Sequence, residues 1–176
     1  MNDPVIITLS WSEIVVGANV GCMRQITNLR DRRRDRYELV EVEGFAKHIM
    51  GCHGEIAVAK YRNVFWSGAL GNLAAPDVGA KIQVRATTYP QGRLVVHKPI
   101  DDNGREGDDP ADYFILARVL LPQVHLVGWL RGDEAQQSKY WKALPTQPNR
   151  PAFFVDNDDV RSMSELPSLA NVEHAA

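Results

Sequence analysis

The stretch "PDVGAKIQVRATTYPQGRLVV", residues 76–96, contains the clearest strand pattern of the chain. Apolar and polar side chains alternate over residues 81–88, which predicts a strand with one packed face and one polar face. The polar face carries Gln83 and Arg85, an amide and a guanidinium two residues apart. The following "TYPQG" predicts a turn, because its proline fixes φ and its glycine can close the loop. Residues 93–97 then predict the partner strand of a β-hairpin.

Two helices are predicted before this stretch, over residues 10–30 and 42–61. Both segments repeat apolar residues at spacings of three and four, which is typical of a helix with one buried face. In the second helix, Glu55 flanks the apolar stripe, so we expect it near the core. Gly51 and Gly54 each weaken that helix by about 1 kcal/mol relative to alanine. Two such glycines beside one carboxylate indicate a close backbone approach at this point.

After the stretch, the nearly continuous apolar run "YFILARVLL" predicts a central strand that is buried on both faces. The segment "QVHLVGWL" predicts a further strand, and "DEAQQSKYWKAL" predicts a short helix. A last short strand is expected near the C-terminus. We therefore expect an α/β or α+β fold in which helices flank a small, mixed central β-sheet, with an extra helix at the N-terminus.

The chain of 176 residues has the length of one domain, and we expect a core over about 41–145 with a partly loose C-terminal extension over 146–176. No apolar run approaches the roughly 20 residues that cross a bilayer, so no membrane association is expected. The N-terminal segment carries an acidic residue where a signal peptide would be basic. Cys22 and Cys52 are too few for a disulfide framework and lack the spacing of a zinc site. Buried thiols in a reducing cytoplasm are the expectation.

The net charge of −2 conceals a division between the two halves of the chain. Residues 1–98 hold 13 basic and 9 acidic residues, whereas residues 99–176 hold 7 and 13. Six of the basic residues are arginines between Arg24 and Arg36, and a local basic surface of this kind can attract phosphate. The alternative is a solvated helix end in which Asp31 and neighbouring acids pair with the arginines.

Three features are expected to converge: Glu55 on its helix, Asp77 before the strand, and Gln83 with Arg85 on one strand face. In this order they resemble the PD-(D/E)XK nuclease superfamily, which places a glutamate on the first core helix, an aspartate after a proline, and an acid–x–lysine triplet on the next strand. The segments "HGEIAVAKY", "VRATTYPQGRLVV" and "HLVGWLRGDEA" resemble a phage and prophage branch of that superfamily. The resemblance covers about residues 41–145.

The resemblance implies a restriction-endonuclease-like fold and an endonuclease, a hydrolase that cuts DNA with magnesium. Glu55, Asp77 and Gln83 would bind Mg²⁺ or Mn²⁺, since hard cations prefer oxygen ligands. Gln83 stands where an acid is usual and adds no negative charge. Arg85 stands where lysine is usual; it cannot act as a base but can grip a phosphate. The DNA backbone would also contact six basic residues, Arg30, Arg32, Arg33, Arg34, Lys60 and Lys98.

Each site residue also has a structural interpretation that the sequence leaves open. Glu55 could form an ion pair with Arg85 or Lys60, and Asp77 could cap a turn. Gln83 and Arg85 could belong to an exposed sheet face. His48, His53 and the aromatic residues Trp66, Trp129, Tyr140 and Trp141 are expected to serve packing or local hydrogen bonding.

Two functions from different classes follow. The first is metal-dependent hydrolysis of DNA in the cytoplasm of a phage-infected host, with a homodimer as one form of assembly because many members of the superfamily act as dimers. The second is a nuclease-like fold that no longer cuts and binds DNA or a host defence protein instead. The acidic C-terminal portion leaves a small virion or scaffold protein as a third alternative.

Overall fold

Two long helices follow the first strand and precede the other strands. In the computed structural model, the described residues are 3–31, 41–70, 75–100, 104, 106–144 and 147–168. Helix α1 runs over Trp11–Arg30 and helix α2 over Glu41–Arg62, which confirms both predicted helices. Helix α1 begins with a capping box, in which the Ser10 hydroxyl accepts from the backbone of Glu13 while the Glu13 carboxylate accepts from the backbone of Ser10.

Within the described residues, seven strands form two sheets. The strands are β1 (Val5–Thr8), β2 (Ile82–Thr87), β3 (Leu94–Val96), β4 (Tyr113–Leu120), β5 (Gln123–Arg131), β6 (Trp141–Leu144) and β7 (Gln147–Val155). The first sheet has the order β1-β5-β4-β2 and is mixed, because β2 and β4 are parallel while the other pairs are antiparallel. The second sheet is antiparallel and has the order β3-β7-β6. The protein is therefore an α+β protein with a mixed sheet, as predicted.

The four-stranded sheet is the middle of three layers. Ile115 and Ala117 of β4 face α2 in one core cluster, whereas Phe114 and Leu116 face β3 and β7 in a second cluster. This alternation explains why the run "YFILARVLL" is apolar on both faces, and it confirms a central buried strand. The helices cover one face of the mixed sheet only. The other face is covered by the second sheet, so the two long helices flank the mixed sheet on one side.

The predicted β-hairpin is wrong. The turn itself forms, since the Gly92 backbone donates to the Tyr89 carbonyl at 2.9 Å. After it, however, β3 crosses into the second sheet and pairs with β7 rather than with β2. Leu94 and Val96 are fully buried there, and this burial decides the pairing. As a result, β2 is an edge strand of the mixed sheet.

The C-terminal predictions need two corrections. The helix expected from "DEAQQSKYWKAL" is only α3, Gly132–Ala135, followed by a 3₁₀ turn at Ser138–Tyr140 and by β6. The core also extends beyond residue 145, because β7 is the central strand of the second sheet and Met163 lies in the first core cluster. The loose tail was expected at the end of the chain, where residues 169–176 lie outside the described part.

Strand β1 was not predicted, since its four residues become a strand only through pairing with the distant β5. Within the described residues, no helix combines the length and apolar character that crossing a membrane requires.

Candidate functional site at the free edge of strand β2

Glu55 lies on the face of α2 that packs against the mixed sheet, and its exposure is only 4%. The helix approaches the sheet closely because Gly54 has no side chain. A Cβ at that position would lie 3.2 Å from side-chain atoms of Val84 and Ala86. The predicted inward position of Glu55 and the close approach at Gly54 are thus both confirmed.

A cation and an indole hold the Glu55 carboxylate. Arg24 of α1 donates from Nη1 to Oε1 at 2.5 Å and from Nη2 to Oε2 at 2.9 Å, in a two-pronged ion pair. Trp66 donates from Nε1 to Oε2 at 2.9 Å. Burial alone would lower the pKa of Arg24, but the hydrogen bonds and the charge of Glu55 outweigh it and raise that pKa. The ion-pair alternative for Glu55 is therefore right in kind, although the partner is Arg24 rather than Arg85 or Lys60.

Asp77 sits beside the free edge of β2. Its Oδ2 accepts from the backbone N–H of Val84 at 2.7 Å, so the carboxylate occupies an edge position that a neighbouring strand would otherwise fill. The pKa of Asp77 is raised to about 6, first by burial and second by the negative charge of Glu55. The Val84 hydrogen bond and the charges of Arg85 and Arg24 lower it in part. The negative charge of Glu55 thus acts on Asp77, and the positive charges of Arg85 and Arg24 oppose it.

Gln83 and Arg85 lie on the opposite face of β2 from Glu55, because their neighbours Val84 and Ala86 face α2. Strand alternation makes this unavoidable. The Gln83 amide donates to Asp112 at 3.0 Å, and burial raises the pKa of that aspartate despite this hydrogen bond.

Arg85 is fixed between the two sheets. It pairs with Asp108 at 2.7 Å, donates to the Val95 carbonyl at 3.1 Å, and lies over the Phe114 ring. The expectation that Gln83 and Arg85 share one pocket with Glu55 is therefore wrong, because Gln83 bonds Asp112 and Arg85 bonds Asp108 on the other face of β2. Arg85 reaches the site only through its charge, which acts on Asp77.

Two carboxylates, rather than the three predicted ligands, are available for a divalent cation. Among the described residues, no three His, Cys, Asp or Glu side chains are grouped so that they could hold a metal ion. Glu55 uses three of its roughly four acceptor positions on Arg24 and Trp66. The position left over is on Oε1, and Gly51 leaves room there, since Oε1 at 4.0 Å is the nearest atom to a Cβ built on it. One acceptor position of Glu55 therefore stays open next to Gly51.

Three of the six predicted DNA-contacting residues, those that the structure describes, have other partners. Lys60 binds Glu13 at 2.9 Å and the Thr8 carbonyl at 3.1 Å. Lys98 lies over the Trp141 ring. Arg30 is exposed and pairs with the adjacent Asp31, which fits the alternative of a solvated helix end. The other three predicted arginines, Arg32, Arg33 and Arg34, lie outside the described residues.

The histidines and cysteines have structural roles at this site. His53 is buried and bonds the Ile14 carbonyl at 2.9 Å, while His48 bonds Asn28, as expected for satisfied histidines. Cys52 is fully buried, and burial followed by the charge of Glu55 raises its thiol pKa to about 12. Cys22 is only partly buried.

Sequence reasoning missed Arg24 and Trp66, and a signal for the first existed. Gly17, Gly21 and Arg24 follow one another at helical spacings of four and three, so they share one face of α1. Two glycines on that face indicate contact with another helix, and an arginine beside them would need a buried acid. Trp66 gave no such signal, because it lies in the loop after α2 and its contact with Glu55 depends on the path of that loop.

Comparison with protein-family models, with curated proteins and with solved structures finds no significant match to this chain. The carboxylate pair, the arginines around it and the resemblance of the motif are therefore the features from which a function can be proposed.

Proposed function

We propose that this protein is a metal-dependent deoxyribonuclease with a restriction-endonuclease-like fold, acting in the cytoplasm of a phage-infected host, and that its site is centred on Glu55 and Asp77. The observation that carries the proposal is the placement of two carboxylates, the buried Glu55 on α2 and Asp77 at the edge of β2, near enough for the charge of Glu55 to raise the pKa of Asp77. Two carboxylates that repel each other at a partly buried position are a costly arrangement, and such arrangements concentrate at functional sites. A divalent cation would relieve that repulsion.

The chain supplies the ligands and the surrounding positive charge. Glu55 and Asp77 would hold the cation, and Gln83 has no part in this because it faces the other side of β2. A cation bound there would lower the pKa of a water molecule and neutralise charge on the scissile phosphate. Arg24 is the guanidinium next to Glu55, so it is the group of this chain best placed to bind an incoming phosphate.

The order of the motif supports the assignment. A glutamate on a core helix, a Pro-Asp pair and a following strand of a mixed sheet occur here in the order that the PD-(D/E)XK superfamily uses. The open edge of β2 leaves Asp77 half-buried rather than enclosed.

A second function, DNA binding without cleavage, is favoured by one observation. Arg24 already neutralises Glu55 through two hydrogen bonds, so a metal ion must compete with a cation that belongs to the fold. If that competition fails, the same surface would bind DNA phosphates without hydrolysing them.

Nicking of supercoiled plasmid with Mg²⁺ or Mn²⁺ separates the two functions. Wild type is compared with Asp77→Asn and Glu55→Gln, and exposed Asp133 provides the matched control, Asp133→Asn. Metal-dependent nicking that both site variants lose and the control keeps supports the nuclease. Salt-sensitive DNA binding without nicking supports the binding function. Absence of both nicking and binding refutes a DNA substrate altogether.

A further inference from the structure

Helix α1 presents an apolar stripe to solvent. The stripe consists of six large exposed side chains, Trp11, Val15, Val16, Met23, Ile26 and Leu29. At 100° per residue they fall within an arc of about 140° on the side of α1 away from α2. Trp11 is 77% exposed, so even the largest of them has little cover. An exposed apolar patch of this kind is comparable to the largest patch on a typical monomer, and such patches are often functional.

The stripe faces outward because the other side of α1 is committed to α2. A Cβ at Gly21 would lie 2.5 Å from the Ile49 Cα, and a Cβ at Gly17 would lie 2.6 Å from the His53 ring. These approaches fix the rotation of α1 about its own axis. The helix therefore cannot turn its apolar stripe toward the core.

Few charges of α1 are available to a partner of the stripe. The helix has three charged side chains, of which Glu13 is bound to Lys60 and Arg24 to Glu55. The third, Arg30, lies at the C-terminal end and is 74% exposed. The six apolar side chains are thus uncharged, and the end of the stripe opposite to Trp11 carries Arg30, which also pairs with the adjacent Asp31.

The stripe matches a reversed copy of itself. In an antiparallel pair of α1 helices with Trp11 against Arg30, Val15 lies against Ile26, and Asn19 lies close to its own counterpart at the two-fold axis. Each exposed indole then receives a guanidinium on its face, and each helix dipole meets the opposite end of its neighbour. A polar asparagine in the middle of an apolar seam is a known device for fixing register.

We propose that the α1 stripe is a homodimer interface in which two copies of this chain pair their α1 helices antiparallel about a two-fold axis. The proposal does not depend on nuclease activity. The six side chains offer on the order of 500 Å² per copy, below the roughly 800 Å² per partner of a standard interface. The dimer is therefore weak and concentration-dependent, with a Kd of roughly 1–100 µM.

Sedimentation velocity of the full chain over a range of concentrations, up to several times the expected Kd, tests the interface. The wild-type mass is expected to rise from 19.7 kDa toward twice that value. Ile26→Glu places one new charge per copy in the seam and should raise the Kd at least tenfold. The matched control is Ile100→Glu, at an exposed isoleucine outside α1, which should leave the Kd unchanged.

A monomer at all concentrations, or equal Kd values for the two glutamate variants, overturns the proposal. Trp11→Ala serves as a second variant if circular dichroism shows that Ile26→Glu does not fold. The emission of Trp11 is taken as the difference between wild type and Trp11→Ala, since the chain has four tryptophans. If acrylamide cannot quench that difference in the monomer, another part of the chain covers the stripe, and this too overturns the proposal.

Arg30→Ala tests the orientation. In the antiparallel pair this change removes two contacts between a guanidinium and an indole, so the Kd should rise about fivefold or more. In a parallel pair the two Arg30 side chains would lie together, and their removal would tighten the dimer. A lower Kd for Arg30→Ala therefore refutes the antiparallel arrangement.

Discussion

Replacement of Arg24 by glutamine would leave the Glu55 carboxylate buried without its cation. Glu55 accepts two hydrogen bonds from Arg24 and one from Trp66, and its side chain is 5% exposed against 17% for Arg24. Removing one partner of a buried ion pair costs 3–5 kcal/mol. Because some water reaches Arg24, we expect the low end, about 3 kcal/mol. For a chain of this size, that lowers Tm by about 6–12 °C.

Urea unfolding followed by circular dichroism measures this loss, and a double-mutant cycle assigns it to the pair. Arg24→Gln, Glu55→Gln and the double variant are compared with wild type. The double variant should cost clearly less than the sum of the singles, with a coupling of about 2 kcal/mol, because it leaves no unpaired charge.

The matched control is Arg93→Gln, which removes an arginine from a surface pair with Asp156. The two side chains of that pair are 43% and 51% exposed, so its loss should change the free energy of unfolding by about 0.5 kcal/mol or less. Equal losses for Arg24→Gln and Arg93→Gln, or singles that simply add, would refute the view that a buried ion pair organises this site.

Three further predictions concern the same core. The pKa of Asp77 is about 6 in the folded state and lower in the unfolded state, so the free energy of unfolding should fall by up to about 3 kcal/mol as pH rises from about 4 to about 6. Urea unfolding of Asp77→Asn across this range should lack that decline. Parallel pH profiles for wild type and Asp77→Asn would contradict the raised pKa of Asp77. The Arg24→Gln variant should bind Mn²⁺ at least tenfold more tightly than wild type, because Glu55 then lacks its counter-cation. Electron paramagnetic resonance of free Mn²⁺ measures the affinity. An unchanged affinity would show that Glu55 is not a metal ligand. Gly21→Ala should lower the free energy of unfolding by about 1–3 kcal/mol, since the new Cβ would meet the Ile49 backbone. A variant that unfolds at or above the wild-type Tm would show that α1 can shift relative to α2 without cost.

Local patterns determined the elements whose stability is local. Both helices follow from apolar spacing, and α1 begins at Ser10, a residue suited to a capping box. The central strand β4 was recognisable because burial on both faces requires an uninterrupted apolar run. The inward position of Glu55 followed from its place beside the apolar stripe of α2. Gly54, the neighbouring residue, indicated the close approach of α2 to β2.

Other features could not be read from local patterns, because they depend on distant partners. The alternation in β2 fixed that Gln83 and Arg85 share a face, but only the packing of α2 decided that this face lies away from Glu55. The segment after β2 looks like a hairpin strand, yet the burial of Leu94 takes it into the second sheet. The predicted helix near the C-terminus gave way to β6, which is stable only because β7 pairs with it.

The sequence by itself determined which residues carry charge, which segments are helical, and that a glutamate and an aspartate stand beside a strand. The tertiary structure alone decided the partner of each charge. A buried carboxylate must be neutralised by whichever cation the packing places within reach, and here the glycine-lined contact of α1 with α2 brings Arg24 to Glu55. Sequence spacing sets the face on which a side chain lies, but the partner that it meets there is set by how the layers stack.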